Sequence, residues 1–276
     1  MIKIKIFIDS GKLDEIKKAK EYGILDGVTT NPSLIKASVE EEKSMDIDIK
    51  SYINKILTVA RGVPVSLEVI GNTYEDMLEQ GKLLYKMFNP VAGNVYVKIP
   101  VNPCFKKNSS NSFDGIKVIK ALSGIGIPVN CTLIFTPEQA LLAAKVGARF
   151  VSPFVGRIDD YIRLKNNIKA SKYSYYPSKG LEKEGMVLED NGIVSGVELV
   201  AQIRKVFNNY KILDTKILAA SIRNPRQVRE VALAGADIAT LPLSVMDKLL
   251  FHCKTQDGMK KFTEDIVPEY KKLFGI

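Results

Sequence analysis

Polar and charged residues close several apolar, strand-like runs of this chain, and their types suit carbonyl chemistry. Lys98 stands near the end of "NVYVKIP", Asp9 ends "KIKIFID", and Glu68 lies within "PVSLEVI". Lysine is almost never fully buried unless it is paired. Burial disfavours the charged form of an amine, and the neutral amine attacks a carbonyl to form a Schiff base. A nearby carboxylate would move protons, so this set predicts Schiff-base chemistry that needs no metal.

Other polar side chains follow the same pattern at the ends of strand-like runs: Thr29, Thr30, Asn31, Asn130, Thr132, Ser152, Ser221 and Arg223. Residues two apart on a strand share a face, so Asn130 pairs with Thr132 and Ser221 with Arg223. Each candidate has a structural alternative. Asp9 could cap a helix near Gly11, Asn31 could be a helix N-cap, Glu68 and Lys98 could form a simple ion pair, and Ser221 and Arg223 could be surface-loop residues.

Eight short strand-like runs alternate with helix-like stretches, and they must position these side chains. The predicted strands are 3–9, 26–31, 64–70, 94–100, 128–135, 149–156, 216–223 and 236–242. Six of the seven helix-to-strand passages carry a glycine just before the strand, as expected for helices that end in the left-handed conformation. Helix starts are predicted at Asn31, Thr136 and Asn224, each followed by proline. Gln139 and Gln227, three residues after the last two, are each expected to complete a capping box.

Strand, cap, helix, glycine and strand in repetition predict one (β/α)₈ barrel over residues 1–276. A doubly wound sheet is the alternative, but its GxGxxG fingerprint after the first strand is absent. Two connections are long, one after the fourth strand and one after the sixth, where we expect an insert at about 161–191. In such a barrel the chemistry lies at the carboxyl ends of the strands.

The composition limits the kinds of molecule that this protein is expected to bind. The formal charge of +9 fits a phosphorylated small molecule, nucleic acid, or only a basic surface. Six basic and six acidic residues balance across 159–190, which argues against nucleic acid. No apolar run reaches the ~18 residues of a membrane span, and the N-terminus lacks a secretory pattern. With one histidine and three scattered cysteines, we expect no metal, no cofactor, reduced thiols and a cytoplasmic protein.

Several segments, in order along nearly the whole chain, closely resemble the transaldolase family, which also contains fructose-6-phosphate aldolases. They are "FIDSGKLDEI", "LDGVTTNPSLI", "VSLEVI", "VYVKIP", "VNCTLIFTPEQALLAAKVGARFVSPFVGRIDD", "LAASIRNP" and "VALAGADIATLP". The loop at 103–113 and the region 161–191 depart from compact members of that family. "DNGIVSGVEL" is similar to the longer transaldolases. The resemblance implies a transaldolase of the pentose phosphate pathway that acts on sugar phosphates.

The resemblance also implies a role for each matching residue. Lys98 would form the Schiff base with the ketose, and Asp9 would take the proton of the C4 hydroxyl. Glu68 and Thr132 would hold a proton-relaying water. The remaining residues would bind substrate: Asn31, Asn130 and Ser152 the dihydroxyacetone unit, Arg157, Ser221 and Arg223 the phosphate, and Phe154 as a wall of the site.

The alternative within the family is a fructose-6-phosphate aldolase, which releases free dihydroxyacetone. The positions matching Glu68 and Phe154 are typically glutamine and tyrosine in those aldolases, so both residues favour a transaldolase. Outside catalysis, a barrel that only binds sugar phosphates is the competing hypothesis. Compact relatives form ring-like multimers, so we expect a homo-oligomer. Phe262, Ile266, Tyr270 and Phe274 would pack on a neighbour, although Pro268 interrupts their helical spacing.

Overall fold

The computed structural model describes residues 4–41, 48–106 and 110–275. Eight parallel strands close into a barrel in the order β1-β10-β9-β6-β5-β4-β3-β2. The barrel strands are β1 (Lys5–Asp9), β2 (Gly27–Thr29), β3 (Val65–Glu68), β4 (Val95–Pro100), β5 (Val129–Ile134), β6 (Phe150–Pro153), β9 (Lys216–Ala219) and β10 (Ile238–Leu241). The predicted barrel and all eight of its strands are confirmed, although several observed strands are shorter than predicted.

Helices connect the strands around the barrel. They are α1 (Leu13–Glu21), α2 (Pro32–Glu41), α3 (Ile49–Val59), α4 (Tyr74–Ala92), α5 (Asp114–Gly124), α6 (Pro137–Lys145), α7 (Val155–Lys165), α8 (Gly196–Asn209), α9 (Pro225–Leu233) and α10 (Leu243–Met246). Two more, α11 (Cys253–Glu264) and α12 (Pro268–Lys272), follow the barrel. The main core lies between the strands and this helical layer, and a smaller aromatic cluster fills the barrel interior.

The predicted glycine and N-cap signals are found at the ends of the helices. All six glycines before strands have positive φ, which glycine adopts without a Cβ penalty. Thr136 and Gln139 form a capping box at the start of α6, and the side chain of Asn31 accepts from the N–H of Leu34. One expectation needs correction. Asn224 caps α9, but the side-chain oxygen of Gln227 accepts from the N–H of Arg223 instead of closing a capping box.

The long connection after β6 has its own structure. Residues 161–165 continue α7, an irregular segment follows, and β7 (Glu182–Lys183) pairs with β8 (Met186–Val187) in an antiparallel hairpin. The other long connection includes residues 107–109, which lie outside the described residues. Among the residues that the structure describes, none of the helices combines the length and the apolar character of a membrane span.

Candidate active site

The inward faces of the strands stack in layers inside the barrel. Phe7, Phe150, Leu218 and Ile238 fill the lower interior with apolar side chains, and Tyr96 stacks on Phe150 with ring centroids 4.6 Å apart. The next inward residues toward the carboxyl ends of the strands are largely polar. Glu68, Lys98 and Asn130 stand beside one another on β3, β4 and β5. The apolar layer below therefore closes the floor of a polar chamber.

Lys98 has two acceptors in this chamber. Its ammonium lies 3.1 Å from a carboxylate oxygen of Glu68 and 3.2 Å from the main-chain oxygen of Thr30. The side chains of Lys98 and Glu68 are 6% and 15% exposed. Glu68 and Lys98 therefore do form the ion pair that was the structural alternative for these two residues. It also gives the amine a carboxylate, at hydrogen-bonding distance, that can exchange a proton with it.

Asp9 is oriented by a relay of hydroxyl groups. The Thr29 hydroxyl donates to a carboxylate oxygen of Asp9 at 2.7 Å and lies 2.7 Å from the Thr240 hydroxyl. A hydroxyl has one proton, so Thr29 donates to Asp9 and accepts from Thr240. Asp9 does not cap α1, which begins after Lys12 without a side-chain cap. The structural alternative for Asp9 is therefore wrong.

Asn130 lies within a fully buried hydrogen-bond chain. Its amide nitrogen donates to the Ser66 hydroxyl at 3.1 Å, and its oxygen accepts from the Ser152 hydroxyl at 2.7 Å. These bonds fix the orientation of the amide plane, because the donor and acceptor ends face different partners.

The Thr132 hydroxyl is buried, and none of the described residues offers it a hydrogen bond. Leaving a buried hydroxyl without a hydrogen bond lowers stability by about 1–3 kcal/mol. The Thr132 hydroxyl is therefore suited to bind a polar atom of a ligand or a water molecule. Just after it, Leu133 has a φ of +60° and the pairing of β5 with β6 shifts register. A break in the regular strand pairing changes the direction in which the neighbouring side chains point.

A cavity of about 80 Å³ opens at this end of the barrel. Seven of the predicted site residues line it: Asp9, Asn31, Lys98, Ser152, Phe154, Arg157 and Ser221. Thr29, Leu218, Ala220 and Thr240 complete the lining. Glu68, Asn130, Thr132 and Arg223 do not line this cavity. Glu68 contacts Lys98 from outside it, and Asn130 supports Ser152.

The two predicted phosphate-binding arginines lie in different settings. Arg157 lines the cavity, is exposed, and stacks with its guanidinium carbon 4.9 Å from the centre of the Phe154 ring. Arg223 forms a two-pronged pair with Asp160, with N–O distances of 3.1 and 2.5 Å. Ser221 has a φ of +61° and accepts from the N–H of Gly156 through its main-chain oxygen.

A buried carboxylate adjoins this arginine pair. Asp159 accepts from the N–H of Gly196 at 2.7 Å and from the Gln227 amide at 3.1 Å. Burial raises the pKa of Asp159 to about 7, and the Gly196 hydrogen bond and the charge of Arg163 oppose that rise. Asp159 therefore ties together the starts of α7, α8 and α9.

Sequence reasoning missed three partners of the site. Thr240 and Ser66 are inward residues of strands that had been predicted, so their alternation was a usable signal. Asp160 lies in "GRIDD" but had no assigned role, and only the fold reveals its pairing with Arg223. Among the described residues, no three His, Cys, Asp or Glu side chains are grouped as metal ligands.

Fold and site together define a (β/α)₈ barrel with a buried lysine–carboxylate pair beside a polar cavity at the carboxyl ends of its strands. A family model described as "Transaldolase/Fructose-6-phosphate aldolase" matches residues 6–274. The chain therefore belongs to the transaldolase/fructose-6-phosphate aldolase family of enzymes.

Curated relatives agree with this membership. A protein named "Probable transaldolase" from Thermoplasma acidophilum is 41% identical over 263 residues, which cover 95% of each chain. One of the same name from Chlorobaculum parvum is 42% identical over 95% of this chain and 97% of its own. A third, from Aquifex aeolicus, is 40% identical over 95% of this chain and 96% of its own. The similarity thus extends over nearly the full length of these relatives.

Proposed function

We propose that this protein is a transaldolase. It moves a dihydroxyacetone unit from a ketose phosphate, such as sedoheptulose 7-phosphate or fructose 6-phosphate, to an aldose phosphate acceptor, a reaction of the pentose phosphate pathway. One observation carries the proposal: in a member of this family, Lys98 and Asp9 line a single cavity at the mouth of the barrel.

The reaction begins at Lys98. Its ammonium first gives a proton to a base, and Glu68 is 3.1 Å away. The neutral amine attacks C2 of the ketose, and the carbinolamine loses water to give a protonated imine. The imine withdraws electrons from the neighbouring carbons. Its carbon–nitrogen bond can therefore accept the electron pair released when the C3–C4 bond breaks.

Asp9 drives that cleavage. Its carboxylate takes the proton of the C4 hydroxyl, the C4–O bond becomes a carbonyl, and the C3–C4 pair moves to form an enamine on Lys98. The aldose phosphate leaves. Thr29 holds one oxygen of Asp9 by a hydrogen bond, so the other oxygen is suited to receive the proton.

Transfer runs the same steps in reverse with a second aldose. The enamine carbon attacks the acceptor aldehyde, Asp9 returns the proton to the new hydroxyl, and water releases the ketose from Lys98. Glu68 and the unpaired hydroxyl of Thr132 are suited to orient that water. Their burial limits the access of bulk solvent to the enamine.

Polar side chains around the cavity would hold the substrate. Asn31 and Ser152 line it and offer hydrogen bonds to the dihydroxyacetone hydroxyls, with Asn130 behind Ser152. Phosphate would lie toward Arg157, Ser221 and Arg223, because a guanidinium group matches the oxygens of a phosphate. The Phe154 ring would form an apolar wall beside them.

The second candidate is a fructose-6-phosphate aldolase, whose enamine is protonated and hydrolysed instead of transferred. Two residues favour transfer. Glu68 keeps its carboxylate beside Lys98. Phe154 has no hydroxyl to orient a water or deliver a proton to the enamine.

Two measurements test the proposal. Borohydride reduction in the presence of fructose 6-phosphate should add a dihydroxyacetone-sized mass to the peptide containing Lys98, and the Lys98→Met variant should lose both labelling and activity. Turnover of fructose 6-phosphate should depend on added erythrose 4-phosphate. Labelling at a different lysine, or none in an active enzyme, would refute the assignment of Lys98. Release of dihydroxyacetone equally fast without acceptor would identify the aldolase instead.

We also infer a homo-oligomer in the cytoplasm. Within the described chain, α11 and α12 bury none of their residues, and Phe262, Tyr270, Leu273 and Phe274 are each more than half exposed. A second copy would remove this apolar surface from water. The three cysteines are free thiols, in keeping with a reducing compartment. Light scattering with and without residues 251–276 tests the assembly.

A further inference from the structure

Arg223 is held on two sides, unlike Arg157. Both oxygens of Asp160 accept from its two terminal nitrogens, and the main-chain oxygen of Lys172 accepts from Nη1 at 2.9 Å. The Arg223 side chain is 14% exposed. For Arg157, the described residues provide a ring contact with Phe154 but no ion pair. The two arginines are therefore prepared for an anion in different ways.

The stem of Arg223 runs closely over the main chain of Gly156. A Cβ added at Gly156 would lie 2.6 Å from Nε of Arg223 and 2.4 Å from the main-chain oxygen of Ser221. Only glycine leaves this space open. The Nε edge of the guanidinium therefore lies beside residues 156 and 221. Arg223 does not itself line the active-site cavity, but its neighbour Ser221 does.

Some of the N–H donors of Arg223 have no acceptor within the described chain. Arginine has five N–H groups in a planar fork. Acceptors within the described chain take three of them, two on Nη1 and one on Nη2. The other two are Nε–H and the second proton of Nη2, which point in parallel from the same edge. That edge matches two oxygens of one phosphate.

We propose that Asp160 is a positioning residue for phosphate recognition: by occupying the Nη1/Nη2 edge of Arg223, it holds the adjacent Nε/Nη2 edge ready for the substrate phosphate. This inference rests on the proposed role of Arg223. Asp160 lies one residue beyond the buried Asp159 on α7, so its carboxylate is carried by an element that packs against α8 and α9. Fixing the guanidinium before the phosphate binds raises the affinity, because less conformational freedom is lost on binding.

Charge repulsion alone and the positioning role predict opposite effects of removing Asp160 on phosphate binding. A carboxylate beside a phosphate site repels the ligand, so its removal should tighten phosphate binding. If Asp160 instead fixes the fork, its removal should weaken binding despite the gain of positive charge. The sign of the change therefore separates the two effects.

The first experiment titrates inorganic phosphate into the full-length protein by calorimetry, comparing wild type with Asp160→Asn. We expect Kd to rise about tenfold, in line with one charge-assisted contact. The control is Glu182→Gln, the same charge change at an exposed site on β7, which should leave Kd unchanged. Unchanged or tighter binding by Asp160→Asn overturns the inference, as does an absence of phosphate binding by the wild type.

A kinetic comparison excludes a general structural effect. Asp160→Asn should raise KM for fructose 6-phosphate about tenfold while kcat stays within about twofold. Its kcat/KM for fructose, which has no phosphate, should stay within about twofold of wild type. Combining Asp160→Asn with Arg223→Ala should weaken phosphate binding no further than Arg223→Ala alone. Equal losses for both sugars, or additive effects, overturn the inference.

These outcomes also separate this inference from the proposed function. If the wild type transfers no dihydroxyacetone but Asp160→Asn still weakens phosphate binding, the proposed function fails and the positioning role stands. If transfer and Lys98 labelling are normal but phosphate binding does not depend on Asp160, the positioning role fails and the proposed function stands.

Discussion

Replacing Arg157 with alanine should selectively weaken catalysis with phosphorylated sugars. Its guanidinium lines the cavity and is exposed, with Phe154 as its ring partner. A hydrogen bond to a charged group contributes about 1.5–3 kcal/mol, and exposure to water places this contact near the lower limit. A loss of about 1.5 kcal/mol corresponds to roughly a tenfold decrease in kcat/KM.

The assay compares fructose 6-phosphate with fructose at a saturating acceptor concentration. Arg157→Ala should lower kcat/KM about tenfold for the phosphate and less than about twofold for fructose. Arg157→Lys should lie between wild type and alanine, because it keeps the charge but loses the planar fork. The matched control is Arg149→Ala, which removes another exposed arginine just before β6, at the opposite end of the barrel.

Ionic strength gives an independent check. Salt screens exposed charges, with a Debye length of about 10 Å at 0.1 M and 3 Å at 1 M. Wild-type kcat/KM for fructose 6-phosphate should therefore fall as salt rises, and Arg157→Ala should be less sensitive. A phosphate-binding role of Arg157 is refuted if both sugars lose activity equally, if Arg149→Ala behaves like Arg157→Ala, or if the salt dependence is unchanged.

Three further predictions follow from the site and its supports. Phe154→Tyr should increase dihydroxyacetone release from fructose 6-phosphate without acceptor, because it adds a proton donor at the wall; an unchanged ratio of release to transfer would contradict this. Gly196→Ala should lower stability by about 1–3 kcal/mol, since a Cβ there would lie 2.2 Å from the Val155 main-chain oxygen, and no fall in Tm would refute the contact. The folded pKa of Asp159, about 7, exceeds the ordinary 3.8, so the folded state binds the extra proton and stability should decrease as pH rises from about 4 to above 7. Urea unfolding at several pH values should show a shallower decrease for Asp159→Asn, and equal slopes would refute the role of Asp159.

The barrel was predictable because its local signals agree. β-branched runs, proline after a cap and glycine before a strand each mark an element boundary, and all eight strands appear where those signals place them. The candidate site followed from the rule that the carboxyl ends of the strands meet at one mouth. That rule predicts the proximity of Asp9 and Lys98 but does not predict their hydrogen-bond partners.

Contacts between distant segments could not be read from the sequence. Asp160 and Arg223 are 63 positions apart on different elements, and nothing local marks them as partners. Ser221 adopts a φ of +61° although serine gives no signal for it. The path of the region 161–191 was equally hidden, because Arg163 and Arg223 hold it through main-chain oxygens that every residue possesses.

That last attachment has an evolutionary consequence. Arg163 binds the main-chain oxygens of Ser174 and Tyr175, and Arg223 binds that of Lys172. Carbonyl groups survive any amino-acid replacement, so side chains at these three positions can drift in a lineage while the path of the segment persists. Insertions or deletions would move the carbonyls and break the attachment. Selection should therefore conserve the length of this segment more strictly than its amino-acid sequence. Arg163 and Arg223 should be conserved more strictly than the length or the sequence of the segment.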